Sequence, residues 1–304
     1  MKAADLPQYY NVAEILEHNL ASRADKTALR SDEGSMTFGE VSAEVNRVGN
    51  ALRSLGVRFG DCVGILSPDR PEWVTSFFGI AKIGATVLCV NTLLKSEEYD
   101  YIFRDSRVRV LIVHESLLEL IEPIRDQHPT LTCVVVIGAP SRSTDISFES
   151  WIRQQSDALE TEPTHRDDYC SLHYSSGTTG PPKGVLHAHK DYPLIAQLSG
   201  VDLFGIGETD RTFSVAKLFF VYGIGANLVF PWYVGASCVL FSGPARQITG
   251  VLKTIATYQP TVFISVPTVY AAILALPRFE ERYELGSLRM CLSAGEALPV
   301  PAWE

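Results

Sequence analysis

An α/β fold built in two layered parts is what this sequence predicts, and three observations carry the prediction. Short runs rich in Val, Ile, Leu and Cys recur along the chain, as in Cys62–Leu66, Val108–Val113 and Cys133–Ile137. Stretches of helical length with apolar residues at three- and four-residue spacing lie between such runs, as in Glu72–Lys82 and Gln247–Tyr258. Near-continuous apolar strands separated by amphipathic helices are the pattern of parallel strands covered on both faces. A polar connector, Asp157–Asp168, then divides two such series. It places a boundary that assigns residues 1–165 to a first α/β part and 166–304 to a second.

Taken in order, Cys62–Leu66 reads as a strand, Glu72–Lys82 as a helix and Thr86–Val90 as a strand. Glu97–Asp105 is then expected as a helix, Val108–Val113 as a strand, Leu117–Arg125 as a helix and Cys133–Ile137 as a strand. Gly138–Thr144, with Pro140 and two serines, is a loop. The second series runs through helix Asp191–Leu198, strand Thr212–Ala216, helix Gln247–Tyr258, strand Thr261–Ser265, helix Thr268–Leu276 and strand Met290–Ser293. Leu218–Phe241 carries no charge and is long enough to mimic a membrane span. Gly223, Gly225, Pro231 and Gly235 interrupt it, so the expectation is a buried helix, a turn and a strand.

The 304 residues, 46% of them hydrophobic, suffice for a large core and more than one subdomain. A formal net charge of −9 argues against nucleic acid or an anionic membrane surface as the main partner. Six cysteines stand far apart with no C-x-x-C pair, most of them inside apolar runs, which reads as buried free thiols. The first residues, M-K-A-A-D-L-P-Q-Y-Y-N, contain no apolar signal core, so the cytoplasm is the expected location.

The most telling stretch is Tyr174–Gly184, Y-S-S-G-T-T-G-P-P-K-G. Its glycines let backbone N–H groups approach a ligand, and Ser175, Ser176, Thr178 and Thr179 add hydroxyl donors. Lys183 adds one mobile positive charge. Donors with no carboxylate among them suit a polyphosphate, so the stretch reads as a nucleotide-phosphate cradle; the bland alternative is a flexible surface linker. It is not the P-loop of the NTPase folds, because Lys183 sits between Pro182 and Gly184.

S-S-G-T-T-G-P-P-K-G-V resembles the phosphate-binding signature of the adenylate-forming superfamily, which includes acyl-CoA and aryl-CoA synthetases, luciferases and peptide-synthetase adenylation domains. Leu52–Leu66, Ala81–Leu94, Ser265–Leu274 and Ser293–Pro299 resemble other core segments of that superfamily, in the same order. The resemblance implies the two α/β parts of an adenylate-forming N-terminal domain. It also implies that a carboxylate attacks ATP to form an acyl-adenylate, after which CoA displaces AMP. Ser175, Ser176, Gly177, Thr178, Thr179, Gly180 and Lys183 would hold the phosphates, with Lys183 and Thr178 closest to the chemistry. Gly295, Glu296 and Ala297 align with the segment that packs on adenine, although an ordinary strand exit with Glu296 in water fits them equally.

Lys217–Gly225, K-L-F-F-V-Y-G-I-G, resembles the acyl-pocket segment of benzoate-type CoA ligases, as do Asn91–Leu94 and Val185–His189. Phe220, Val221, Tyr222 and Gly223 are therefore candidates for a slot that takes a flat aromatic acid; the alternative is that these aromatics fill a core. His187 and His189 have poor spacing for a metal site, and no metal ligand is assigned. The family's Y-G-x-T-E segment, whose glutamate holds Mg²⁺, has no counterpart here, nor do its ribose aspartate and C-terminal lysine. The chain thus reads as the front part of a ligase that uses ATP, Mg²⁺ and CoA, truncated before the barrel and C-terminal domain. A homodimer or a complementing C-terminal chain stays open as partner, and the competing reading is a non-catalytic remnant.

Overall fold

A computed structural model describes residues 2–175 and 181–298. It contains two mixed α/β sheets, each within its own compact unit. The first sheet has the order β7-β6-β5-β3-β4-β8-β9. Its strands are β3 (Cys62–Leu66), β4 (Thr86–Cys89), β5 (Val110–His114), β6 (Cys133–Ile137), β7 (Ile146–Ser147), β8 (Tyr169–Ser175) and β9 (Lys183–Ala188). All neighbours pair in parallel except β8 and β9, which form an antiparallel hairpin. Leu88, Leu111, Val113 and Val136 pack beneath Tyr99, Ile102 and Phe103 of helix Ser96–Ser106, which gives these strands their apolar character.

The second sheet has the order β13-β12-β10-β11-β1-β2. It comprises β1 (Thr27–Ser31), β2 (Gly34–Thr37), β10 (Arg211–Ser214), β11 (Ser237–Val239), β12 (Val262–Ser265) and β13 (Met290–Ser293). Only the β1–β2 pair is antiparallel. Phe213, Val239 and Phe263 from its strands join Val251, Leu252 and Ile255 of helix Ile248–Tyr258 in one core.

The expected strands and most helices lie within a few residues of their predicted positions. Leu218–Phe241 becomes unbroken helix from Val221 to Tyr233, π-helical over Gly225–Val229, then a turn and β11, as expected. No helix among the described residues is long and apolar enough to cross a membrane. The helix expected at Leu117–Arg125 is broken into short turns, Glu115–Leu117, Leu118–Ile121 and Arg125–Gln127. Pro123 accounts for the break, since it can neither donate to the helical ladder nor leave its predecessor free to continue the helix.

The division at 165/166 needs correction. The first unit comprises residues 1–18, 39–68 and 72–194; the second comprises 19–38, 69–71 and 195–304. The physical reason is strand pairing: β8 completes the first sheet against β4, while β1 enters the second against β11. A polar connector marks a surface crossing, not a change of core.

Candidate functional site

In the first unit, β8 and β9 bring the two ends of the glycine-rich stretch together. Ser175 pairs with Lys183 and Tyr174 with Gly184 across the hairpin. Both Ser175 and Lys183 are exposed at its tip. The Tyr174 hydroxyl donates to Asp105 Oδ2 at 2.5 Å, which ties the end of β8 to helix Ser96–Ser106. Burial and the adjacent Asp105 carboxylate push the Tyr174 phenol well above its ordinary range, so it stays a donor. Ser176, Gly177, Thr178, Thr179 and Gly180 lie outside the described residues.

The histidines that follow have structural partners. His189 is fully buried and its Nδ1 accepts the Val12 N–H at 3.0 Å. His187 packs edge-on against His173, with ring centres 5.4 Å apart. Ser171 and Tyr192 share a hydrogen bond of 2.7 Å beneath them. Among the described residues no group of three or more His, Cys, Asp or Glu could hold a metal ion.

In the second unit the remaining candidates gather at the carboxyl ends of β10, β12 and β13, where ligands of open parallel sheets bind. Residues 215–220 leave β10, Val266 and Pro267 leave β12, and 294–297 leave β13. One main-chain carbonyl joins these exits. Ser265 O accepts the Tyr222 hydroxyl at 3.3 Å and the Ala294 N–H at 3.3 Å. Tyr222 and Ala294, the residue preceding Gly295, therefore meet on one atom of β12. Phe220 and Val221 are exposed beside them, at 42% and 44%, so they do not simply fill a core. Gly295 has φ +91°, a backbone conformation that glycine takes without cost, and Gly295, Glu296 and Ala297 are all exposed. Burial raises the Tyr222 phenol to about 12 and keeps it protonated.

Gly223 does not leave open space in a slot. It is buried, and a Cβ placed there would lie 2.1 Å from Lys217 O and 2.5 Å from Ala216 O. Its missing side chain lets the first helical turn close against the preceding main chain. The thiols also divide: Cys89, Cys170 and Cys238 are buried, whereas Cys291 on the edge strand β13 is exposed.

Sequence reasoning missed Asp69 and Ser265 as parts of this region. Asp69 is 1% exposed, and its Oδ1 accepts the Leu218 N–H at 3.0 Å. Its only signal in the sequence is a lone acid between two prolines after a strand. Ser265 acts through its backbone, which no side-chain pattern could reveal.

Residues 16–304 match the AMP-binding enzyme family. The chain belongs to that family. It is 41% identical over 300 residues to a benzoate–CoA ligase of Thauera aromatica, covering 98% of this chain and 56% of that protein. Among solved structures, an anthranilate CoA ligase in complex with anthranoyl-AMP superposes with a TM-score of 0.98 at 59% identity, covering 100% of this chain and 58% of that one. A benzoate CoA ligase from Burkholderia xenovorans gives 0.87 at 32% identity, covering 96% and 57%. The chain thus spans a little over half the length of these relatives, and the fold is that of the N-terminal domain of adenylate-forming enzymes.

Proposed function

We propose that this chain is the acid-activating part of an aromatic acid–CoA ligase. The carboxylate oxygen of the acid bonds to the α-phosphorus of ATP, the bridge to the β-phosphate breaks, and pyrophosphate leaves. The CoA sulfur then bonds to the acyl carbon, the bond to AMP breaks, and the thiol proton passes to solvent. Such a step demands orientation and charge neutralisation more than a protein nucleophile. The convergence of Tyr222 and Ala294 on Ser265 O carries this reading, because it sets the acid segment beside the exit that contains Gly295–Ala297. The likeness to benzoate and anthranilate CoA ligases supports an aromatic acid as substrate. On this reading Phe220, Val221 and Tyr222 face the ring, and Gly223 sets the turn that presents them.

Lys183, with Ser175, Ser176, Gly177, Thr178, Thr179 and Gly180, is the proposed phosphate cradle. Mg²⁺ would arrive with ATP, and the described residues offer no ligand cluster through which to route a step. A cytoplasmic location goes with this reading, since ATP and CoA are its co-substrates.

Pyrophosphate release by the protein, supplied with MgATP and a panel of acids, tests the proposal. Benzoate and 2-aminobenzoate should outpace acetate and a long-chain fatty acid by about tenfold or more. Lys183→Ala should slow release by about a hundredfold with little change in melting temperature, as expected for a charge at an exposed hairpin tip. Fastest turnover with the fatty acid, or full activity in a well-folded Lys183→Ala protein, would overturn the assignment.

A further inference from the structure

We propose that Lys217 and Asp69 are positioning residues that fix the acid-binding segment, Lys217 by tying its approach to the loop after β11 and Asp69 by holding the Leu218 N–H. The inference rests on assigning Phe220–Tyr222 to the acid. Neither residue belongs to the exposed face of that segment. Asp69 is 1% exposed and the Lys217 side chain 13%.

A lysine ammonium has three N–H donors, and here two of them have main-chain acceptors in reach. Two go to the main-chain oxygens of Phe241 and Gly243, the latter at 2.6 Å. The third side of the ammonium faces Asp69 Oδ2 at 4.0 Å, an ion-pair distance beyond a direct hydrogen bond. The ammonium also lies 4.9 Å from the centre of the Phe241 ring. Asp69 then reaches the next residue in the chain, through Oδ1 and the Leu218 N–H at 3.0 Å. Consecutive residues are thus held by different means, one by its side chain and the other by its backbone.

The main chain of Lys217 is held as well. Its carbonyl accepts the Phe220 N–H at 3.0 Å and lies against Gly223. Lys217 and Phe220 thus close a short turn ahead of helix Val221–Ile224, and the Lys217 side chain anchors it to residues 241–243. Stability alone does not account for the choice of residues. A buried ion pair is commonly no better than apolar residues of the same volume, and a methionine would fill the space without desolvating a charge. What lysine supplies and methionine lacks is direction toward two fixed carbonyl acceptors and a charge opposite Asp69. Its point charge on a flexible stem suits the carbonyls, whereas a planar guanidinium would need a wider site.

The test joins hydrogen exchange with steady-state kinetics on the protein and three variants, Lys217→Met, Asp69→Ala and Asp69→Asn. Lys217→Met and Asp69→Ala should speed amide exchange over residues 218–222 by about tenfold, with no change in β10 or β12. Both should raise the KM for the aromatic acid by about tenfold while the KM for ATP holds. Asp69→Asn keeps an oxygen for the Leu218 N–H and should exchange close to the native rate. Unchanged exchange at 218–222, faster exchange throughout the second sheet, or a parallel rise of both KM values would overturn the proposal. If the native protein activates no aromatic acid, the assignment of the acid falls, and the exchange result alone upholds or overturns the tie.

Discussion

At the scale of single residues, burial decides what several polar groups can do. His189 is the clearest case. Its ring is fully buried, accepts from Val12 N–H through Nδ1, and leaves Nε2 without a partner among the described residues. Burial lowers its pKa from 6.5 to about 4, with Asp168 opposing the shift. A histidine whose folded pKa is depressed favours the folded state fully above its unfolded value, and that contribution is lost as pH falls through the folded value. The difference corresponds to roughly 3 kcal/mol across that window. His189→Gln, which offers Val12 an oxygen but does not titrate, should lose about 5 °C less in melting temperature than the native chain between about pH 7 and about pH 4. Parallel melting curves for the two proteins over that range would show that His189 is not the group responsible. Little of this was legible in the sequence. The spacing of H-A-H argues against a metal site, but the hydrogen bond from Val12 N–H that makes His189 a structural residue is written nowhere in the sequence. Lys183 and Ser175 stand out in the sequence because the chemistry proposed for them is local, written in neighbouring residues.

Elements were legible where one property ran the length of the segment. The apolar runs of β3, β5 and β6 are buried on both faces, so their pattern needs no context. β1 and β2 gave no such signal, being short and partly exposed. Helix Phe38–Ser54 was readable and went unread: Val41, Val45, Val48 and Leu52 recur at helical spacing, and all are buried. The uncharged stretch 218–241 was parsed by its glycines, but the packing at Gly223 was not legible. A glycine can mark space or its opposite, and sequence does not distinguish them. A Cβ at Gly223 would meet backbone oxygens at 2.1 and 2.5 Å, which cannot swing aside as a flexible side chain would. Gly223→Ala should therefore cost about 2–3 kcal/mol and push the helix start away from residues 216–217. Gly207 in the same unit is the control, since a Cβ there meets nothing within 4 Å and its φ is ordinary. Gly207→Ala should leave stability unchanged or raise it by up to about 1 kcal/mol. Equal denaturant midpoints for the two variants would contradict the close approach at 223.

At the scale of the whole chain, the two sheets are interleaved in sequence although each is compact in space. The path passes between units at 18/19, 38/39, 68/69, 71/72 and 194/195. Sequence reasoning read the sheets as successive because composition changes at the connector, whereas strand pairing joins β1 to β11 across some two hundred residues. This makes a sharp prediction for a fragment beginning at residue 166. Such a fragment would keep β10–β13 but lose β1 and β2, and with them Ala28, Leu29 and Phe38, all fully buried. Trp232 would lose the Ala28 carbonyl, which it reaches at 3.0 Å through Nε1, and the Phe38 ring packed edge-on at 5.6 Å. Asn19, whose Nδ2 donates to Trp232 O at 2.9 Å, would be absent too. The fragment would also retain β8 and β9 without β4, a two-stranded hairpin with no sheet to complete. Uncovering β11 exposes an unpaired apolar edge, which favours association over folding. Residues 166–304 expressed alone should therefore aggregate or show the narrow amide dispersion of an unfolded chain. Adding residues 19–38 as a separate peptide should restore dispersion in the second unit's amides if pairing with β11 is what the fragment lacks. A soluble, well-dispersed 166–304 fragment without that peptide would mean that β1 and β2 decorate the second sheet and do not complete its core.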